Sequence, residues 1–332
     1  MADMDKVTVI GFKASGKTCY LAGMYDTMSY GIKNFSLIEA DSDQDYYLQT
    51  LWENISDGNK RNWPVPNDEK RSYSFALCHS FDKIIEFEWL DYPGGALVDP
   101  GYGLIDEIKN QLAQSSCLLL LVNGQSFAVE ADNVSEYKKK VRQNLKRNGD
   151  LVAIQKLSQI GRDGVTLPPI AIIVSKSDLI EDKWIDSIGE IIRENFEAVY
   201  GESGEDRRIV MVTAVTLGED IENGGDADPE NIEQPIAYAV LSMLCKYVEQ
   251  ARLIKNNNNQ MLEKKDTIWG RIINSKKLEE LRNNIDVMDK VISKFSRDAI
   301  RLLELFEEDK CLYVNGVKKP LRKYFQDYLC IK

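Results

Sequence analysis

Residues Gly11-Phe12-Lys13-Ala14-Ser15-Gly16-Lys17-Thr18 fit the pattern GxxxxGK[ST], between a β-branched run at 6–10 and a helical spacing pattern at 17–29. No other feature constrains the chain as strongly. Glycines let backbone N–H groups close around phosphate oxygens, and the N-terminus of the following helix adds a favourable dipole. Within this pattern Lys17 neutralises β and γ phosphates and Thr18 offers its hydroxyl to magnesium. Nucleotide contacts are therefore expected from Gly11, Lys13, Ala14, Ser15, Gly16, Lys17, Thr18 and Cys19.

The remaining chain alternates strand and helix patterns. Strands are expected at 73–78 and 84–90, joined as a hairpin through Ser80-Phe81-Asp82-Lys83. The continuous apolar runs at 117–122 and 170–174 read as strands covered on both faces, and 209–212 completes the set. Helical patterns at 104–114, 133–157 and 182–198 lie between them, which predicts an α/β fold of three layers with a mainly parallel sheet over residues 1–255. A helix at 235–255 is expected to stop at the polar run Asn256-Asn257-Asn258-Asn259. Residues 256–332 then form a mostly helical extension. It contains a heptad stripe from Leu278 to Phe306, a tight hairpin turn at Asn315-Gly316, and a last helix with Leu321, Phe325 and Leu329 on one face.

Three further segments fall at predicted strand ends. Asp91-Tyr92-Pro93-Gly94 is a DxxG pattern in which Asp91 can hold magnesium through water and Gly94 can bring its N–H to a γ-phosphate. Ser175-Lys176-Ser177-Asp178 follows the strand at 170–174, and Thr213-Ala214-Val215 ends the strand at 209–212. In this order the four segments resemble the P-loop GTPases of the Ras-like, translation-factor-related class, whose later motifs read [NT]KxD and SA[KL]. The resemblance covers about residues 6–254. It implies that Asp178 pairs with the N1 and N2 hydrogens of guanine, that Lys176 lays its stem over the base, and that Ala214, flanked by Thr213 and Val215, offers a backbone N–H to the guanine oxygen. The long interval between the first two motifs looks like that of bacterial double-GTPase-like proteins. By that likeness Trp52, Gly58 and Trp63-Pro64-Val65-Pro66-Asn67 stand where a switch element is expected, with Asn67 in place of its threonine as a carbonyl ligand for magnesium.

The chain departs from the pattern in two places. Gly95 stands where Ras-like enzymes carry a water-positioning glutamine, so hydrolysis is expected to be slow unless a partner supplies a group. Ser175 replaces the usual Asn or Thr and is expected to weaken the tether between loops. Three readings follow: a GTP-binding switch with slow magnesium-dependent hydrolysis and a protein effector or activator; a nucleotide-binding scaffold that hydrolyses little; or a P-loop ATPase.

The formal net charge is -11, with the negative charge concentrated before residue 256. Such a surface argues against nucleic acid as a partner, because phosphate neutralisation needs clustered cations. The six cysteines show no CxxC pair or metal-ligand spacing, which fits reduced thiols in a cytoplasmic protein. The first residues lack the apolar run of a secretory signal, and the aliphatic run 118–122 is too short to span a membrane. His79, the single histidine, has no nucleophile motif beside it and reads as structural. The basic run 138–147 reads as the solvated face of a helix, and Gln125 is a candidate for the nucleotide pocket.

Overall fold

The computed structural model describes residues 4–12, 14–65, 69–201, 208–219, 221–265 and 275–330. Lys13 and Asn67 lie outside the described residues. The chain begins with β1 (Asp5–Gly11), α1 (Lys17–Tyr30), β2 (Phe35–Glu39) and α2 (Ser42–Ser56), followed by the hairpin β3 (Arg71–His79) and β4 (Asp82–Asp91). Next come α3 (Ile105–Gln114), β5 (Cys117–Asn123), α4 (Val134–Arg147), α5 (Asp150–Arg162) and β6 (Ile170–Ser175). Three short helices, α6 (Asp182–Ile185), α7 (Ile188–Asn195) and α8 (Glu197–Tyr200), precede β7 (Ile209–Ala214). The chain then forms α9 (Gln234–Lys265), α10 (Ser275–Leu302), the hairpin β8 (Cys311–Val314) and β9 (Val317–Pro320), and α11 (Leu321–Cys330).

Nine strands form one sheet in the order β2-β3-β4-β1-β5-β6-β7-β8-β9. The five from β4 to β7 pair in parallel, and the β2/β3 and β8/β9 flanks are antiparallel. The sheet is thus mixed, not mainly parallel, because both hairpins attach to the parallel core instead of standing apart. Side-chain alternation assigns the two faces. Val7 and Val9, Leu119 and Leu121, and Ala171 and Ile173 enter one core, against α1, α9 and the end of α10. Ile10, Leu118, Leu120, Val122, Ile172 and Val174 enter the other, against α3, α4, α5 and α7. A strand buried on both faces has no polar position to alternate with, which is why β5 and β6 read as unbroken aliphatic runs.

The four asparagines at 256–259 lie inside α9 and do not end it. Tertiary packing overrides their weak helix propensity, since α10 runs back along α9 and Lys255 reaches Asp289 at 2.5 Å. Asn315 and Gly316 both have positive φ, as the tight turn between β8 and β9 requires. This turn seats β8 beside β7, so the C-terminal residues extend the main sheet. The helix expected over 133–157 is two helices, separated at Asn148-Gly149, where Gly149 takes φ 85°. β2 and α2 fall in the interval that the sequence pattern left without elements. No described helix is long and apolar enough to cross a membrane.

Candidate nucleotide-binding site

Beside β1 the sheet order reverses, with β4 on one side and β5 on the other, so their C-terminal ends open a crevice. A cavity of about 1010 Å³ lies there. One end is walled by the loop between β1 and α1, and the other by the loops after β6 and β7.

The phosphate end is built from close approaches. A Cβ on Gly11 would collide with Ser15 Oγ and with the Lys17 stem, so only glycine lets the loop fold over the strand end. Gly16 takes φ 75° just ahead of α1, whose first residues are Lys17, Thr18 and Cys19. Ala14, Ser15, Gly16, Lys17, Thr18 and Cys19 all line the cavity. Asp91 lies one layer beneath it, with Oδ1 4.0 Å from Lys17 Nζ and Arg71 opposite it in the sheet register. Burial pushes the Asp91 carboxyl up to about 6, against the pull of Lys17 and then Arg71. Burial likewise lowers Lys17, and Asp91 partly restores it. Both Asp91 Oδ1 and Ser15 Oγ are buried with no hydrogen-bond partner among the described residues.

An orphaned carboxylate oxygen behind a loop that ends in a threonine hydroxyl suits a hard cation. Magnesium is held by few protein oxygens and completes its shell with phosphate oxygens and water. The residues present fit it: Thr18 and Asp91 would hold it, and it would supply charge neutralisation at the phosphates. The described residues contain no cluster of three or more His, Cys, Asp or Glu side chains that could bind a metal by themselves.

Gly94 and Gly95 line the cavity above Asp91. The Gly95 N–H donates to the Gly11 carbonyl at 3.2 Å, while its own carbonyl accepts from Val98 and Asp99. The segment after the DxxG pattern is thereby folded against the phosphate loop.

The loop tether expected to be weak at Ser175 is in place. Ser175 Oγ donates to the Ser15 carbonyl at 2.8 Å, and Asn123 at the end of β5 adds a second link, its Nδ2 donating to the Ala14 carbonyl at 3.1 Å. A Cβ on Gly124 would strike the Ser175 carbonyl, so the Asn-Gly pair ending β5 is needed for these loops to meet. From the sequence, Gln125 stood out but its neighbours Asn123 and Gly124 did not. The signal available was their position at the end of an apolar strand, where α/β folds place ligand loops. Gln125 also lines the cavity.

At the far end Lys176 takes φ 55° and opens the turn that presents Asp178, and both line the cavity. Asp178 is exposed, and its Oδ1 accepts from Thr216 Oγ1 at 2.9 Å. Thr216 Oγ1 in turn accepts the Gly218 N–H at 3.1 Å. The Thr213-Ala214-Val215 expectation needs correction. Thr213 and Ala214 remain within β7 and are absent from the cavity wall, and Thr213 Oγ1 bonds Gln234 and Lys310 instead. Val215 lines the cavity, but its N–H is committed to the Val174 carbonyl at 2.8 Å. The β6 to β7 ladder continues one residue further than the strand pattern shows, so the residues that reach the cavity are Val215, Thr216, Leu217 and Gly218.

The glycine loop between β1 and α1, the parallel strand ends and the carboxylate beneath Lys17 define a P-loop nucleotide-binding fold. No protein-family model matches the chain, and no curated protein matches its sequence. Among solved structures it is similar to the signal recognition particle receptor SRb-GTP/SRX complex of Chaetomium thermophilum, at 15% identity and TM-score 0.30 over 66% of this chain and 92% of that one. It is also similar to the small COPII coat GTPase SAR1 of Encephalitozoon cuniculi with GDP, at 11% identity and TM-score 0.31 over 72% and 78%. A point mutant of S. thermophilus NFeoB bound to GDP matches at 11% identity and TM-score 0.31 over 91% and 99%. At these TM-scores the likenesses carry no weight for function, which rests on the residues of the site.

Proposed function

We propose that this protein is a GTP-binding molecular switch that hydrolyses GTP slowly with magnesium. The observation that carries the reading is the convergence on one cavity of the phosphate loop, the Gly94-Gly95 segment above the orphaned Asp91 oxygen, and the Asp178 carboxylate at the opposite end. Lys17 and the loop amides bind the phosphates, Thr18 and Asp91 serve the magnesium, and Asp178 accepts the two adjacent donors on the edge of guanine. Adenine lacks that donor pair. The segment after Gly94 transmits the state of the γ-phosphate to a protein effector or activator. A cytoplasmic location and a bacterial setting complete the proposal.

A second reading is favoured by one observation. Gly95 has no side chain to orient water, and its N–H is already bonded to the phosphate loop. On that basis the protein is a nucleotide-dependent scaffold with little hydrolysis. Equilibrium competition among GTP, GDP, ATP and ADP with magnesium, followed by single-turnover phosphate release, tests both readings. Preferential GTP binding with slow release supports the switch, and GTP binding without release supports the scaffold. Equal or tighter ATP binding overturns the guanine assignment and leaves an ATPase.

A further inference from the structure

Both ends of the C-terminal helix pair meet at one buried hydroxyl. Thr213, near the end of β7, accepts from Lys310 Nζ at 2.8 Å, and its Oγ1 donates to Gln234 Oε1 at 3.2 Å. Gln234 is the first residue of α9, and Lys310 stands directly ahead of β8 in the segment that follows α10.

From Gln234 the hydrogen bonds run on to the base end of the cavity. Gln234 is 1% exposed, and it donates from Nε2 to Asn231 Oδ1 at 2.6 Å and from its backbone N–H to the Asn231 carbonyl at 3.3 Å. Asn231 takes φ 58°, a conformation that a short polar side chain tolerates. The residue before it, Glu230, bridges Thr216 in antiparallel fashion. The Glu230 N–H donates to the Thr216 carbonyl at 3.1 Å, and the Thr216 N–H donates to the Glu230 carbonyl at 3.4 Å. Thr216 is the residue whose Oγ1 donates to Asp178. Its place is thus set from two sides, by the end of β7 and by the turn into α9.

Stability does not account for a lysine at position 310. Burial lowers its ammonium to about 8, against the pull of Glu307 and then Glu233. The fold gives up solvation of a cation and receives a hydrogen bond to a neutral hydroxyl. An unbranched apolar side chain such as methionine would fill the same place without that cost. What the buried polar network adds is a fixed geometry, because each satisfied link restricts the next.

We propose that Lys310 is a positioning residue for base recognition: through Thr213, Gln234 and the Asn231-Glu230 turn it fixes Thr216, and with it the Asp178 carboxylate. The inference rests on reading Asp178 as the guanine contact. It makes the C-terminal extension a working part of the base end of the site.

Binding of GTP and ATP with magnesium to the full-length wild type, Lys310→Met, Thr213→Val, Thr216→Val and the double variant Lys310→Met/Thr216→Val tests it, with the melting temperature of each nucleotide-free protein measured alongside. Lys310→Met and Thr213→Val should each lower the preference for GTP over ATP by roughly threefold to tenfold, the scale of one hydrogen bond, with ATP affinity unchanged. In the Thr216→Val background Lys310→Met should cause no further loss, since both act on the same carboxylate. An unchanged preference in Lys310→Met and Thr213→Val, whatever happens to the melting temperature, makes the network purely structural and overturns the proposal while Asp178 keeps its role. Equal losses for GTP and ATP, or an additive loss in the double variant, overturn it as well. A wild type without a preference for GTP overturns the reading of Asp178 itself, and this inference falls with it.

Discussion

The two ends of the cavity are built on opposite principles. At the phosphate end the chemistry is buried. Lys17 and Asp91 are 9% and 4% exposed, burial shifts both toward their neutral forms, and Asp91 Oδ1, 4.0 Å from Lys17 Nζ, has no hydrogen-bond partner among the described residues. At the base end Asp178 is exposed and already engaged by Thr216. The first arrangement is under-satisfied on its own, so a triphosphate with magnesium bound there, as proposed, would relieve a cost of the fold. The second is satisfied on its own and offers only a shaped hydrogen-bonding edge. Affinity should therefore come chiefly from the phosphate end and base selectivity from the other.

Substitutions should separate these contributions. The largest effect is expected for Lys17→Met, which removes a charge-assisted contact to the phosphates: triphosphate affinity should fall about 100-fold for guanine and adenine nucleotides alike. Titration with GTP and ATP checks this, and a loss confined to GTP would break the division between the two ends. Thr216→Val should act only at the base end. With its carboxylate no longer oriented, Asp178 should lose roughly threefold to tenfold of its preference for GTP over ATP, with total phosphate affinity kept. A parallel loss for both nucleotides would show that Thr216 is a packing residue.

A smaller effect sharpens the contrast by pH. Asp150, the first residue of α5 beside the Asn148-Gly149 wall, is 1% exposed, and burial pushes its carboxyl up to about 7 even though Ser126 donates to it. A raised carboxyl binds its proton more tightly in the fold than in the unfolded chain. Its contribution is therefore fully present below the ordinary carboxylate range and is lost as pH rises toward 7. Asp150→Asn, neutral at every pH, should raise the melting temperature at pH 8 by roughly 2–4 °C and change it little at pH 4. Thermal denaturation at both values reads this directly. Equal shifts at the two would mean that the carboxyl is not held neutral.

The contrast between the two ends also explains what the sequence could reveal. The phosphate loop is contiguous, and each residue type is dictated by backbone geometry, so Gly11, Gly16, Lys17 and Thr18 are legible from their spacing alone. The base end is assembled from the exits of β5, β6 and β7. Its details depend on where each strand stops pairing, and the Val215 N–H staying in the sheet shifts the cavity-lining residues from Thr213 toward Thr216. Asn123 and Gly124 escaped for the same reason: their role is a meeting of loops distant in sequence. The strands with continuous or alternating apolar patterns were readable, whereas β2, with only Phe35, Leu37 and Glu39 buried, carries too short a signal. The asparagine run inside α9 misled because local propensity gave way to packing against α10.

The most direct test exchanges the hydrogen-bonding edge at Asp178. A carboxylate accepts from both N1–H and N2–H of guanine. The amide of Asp178→Asn presents one acceptor and one donor, matching the N1–H and the O2 oxygen of xanthine. Binding of GTP, xanthosine triphosphate and ATP should be measured with magnesium on both proteins. The wild type should prefer GTP and the variant xanthosine triphosphate, with ATP weak in each. A wild type indifferent to the base, or a variant whose order of preference is unchanged, would contradict the role proposed for Asp178.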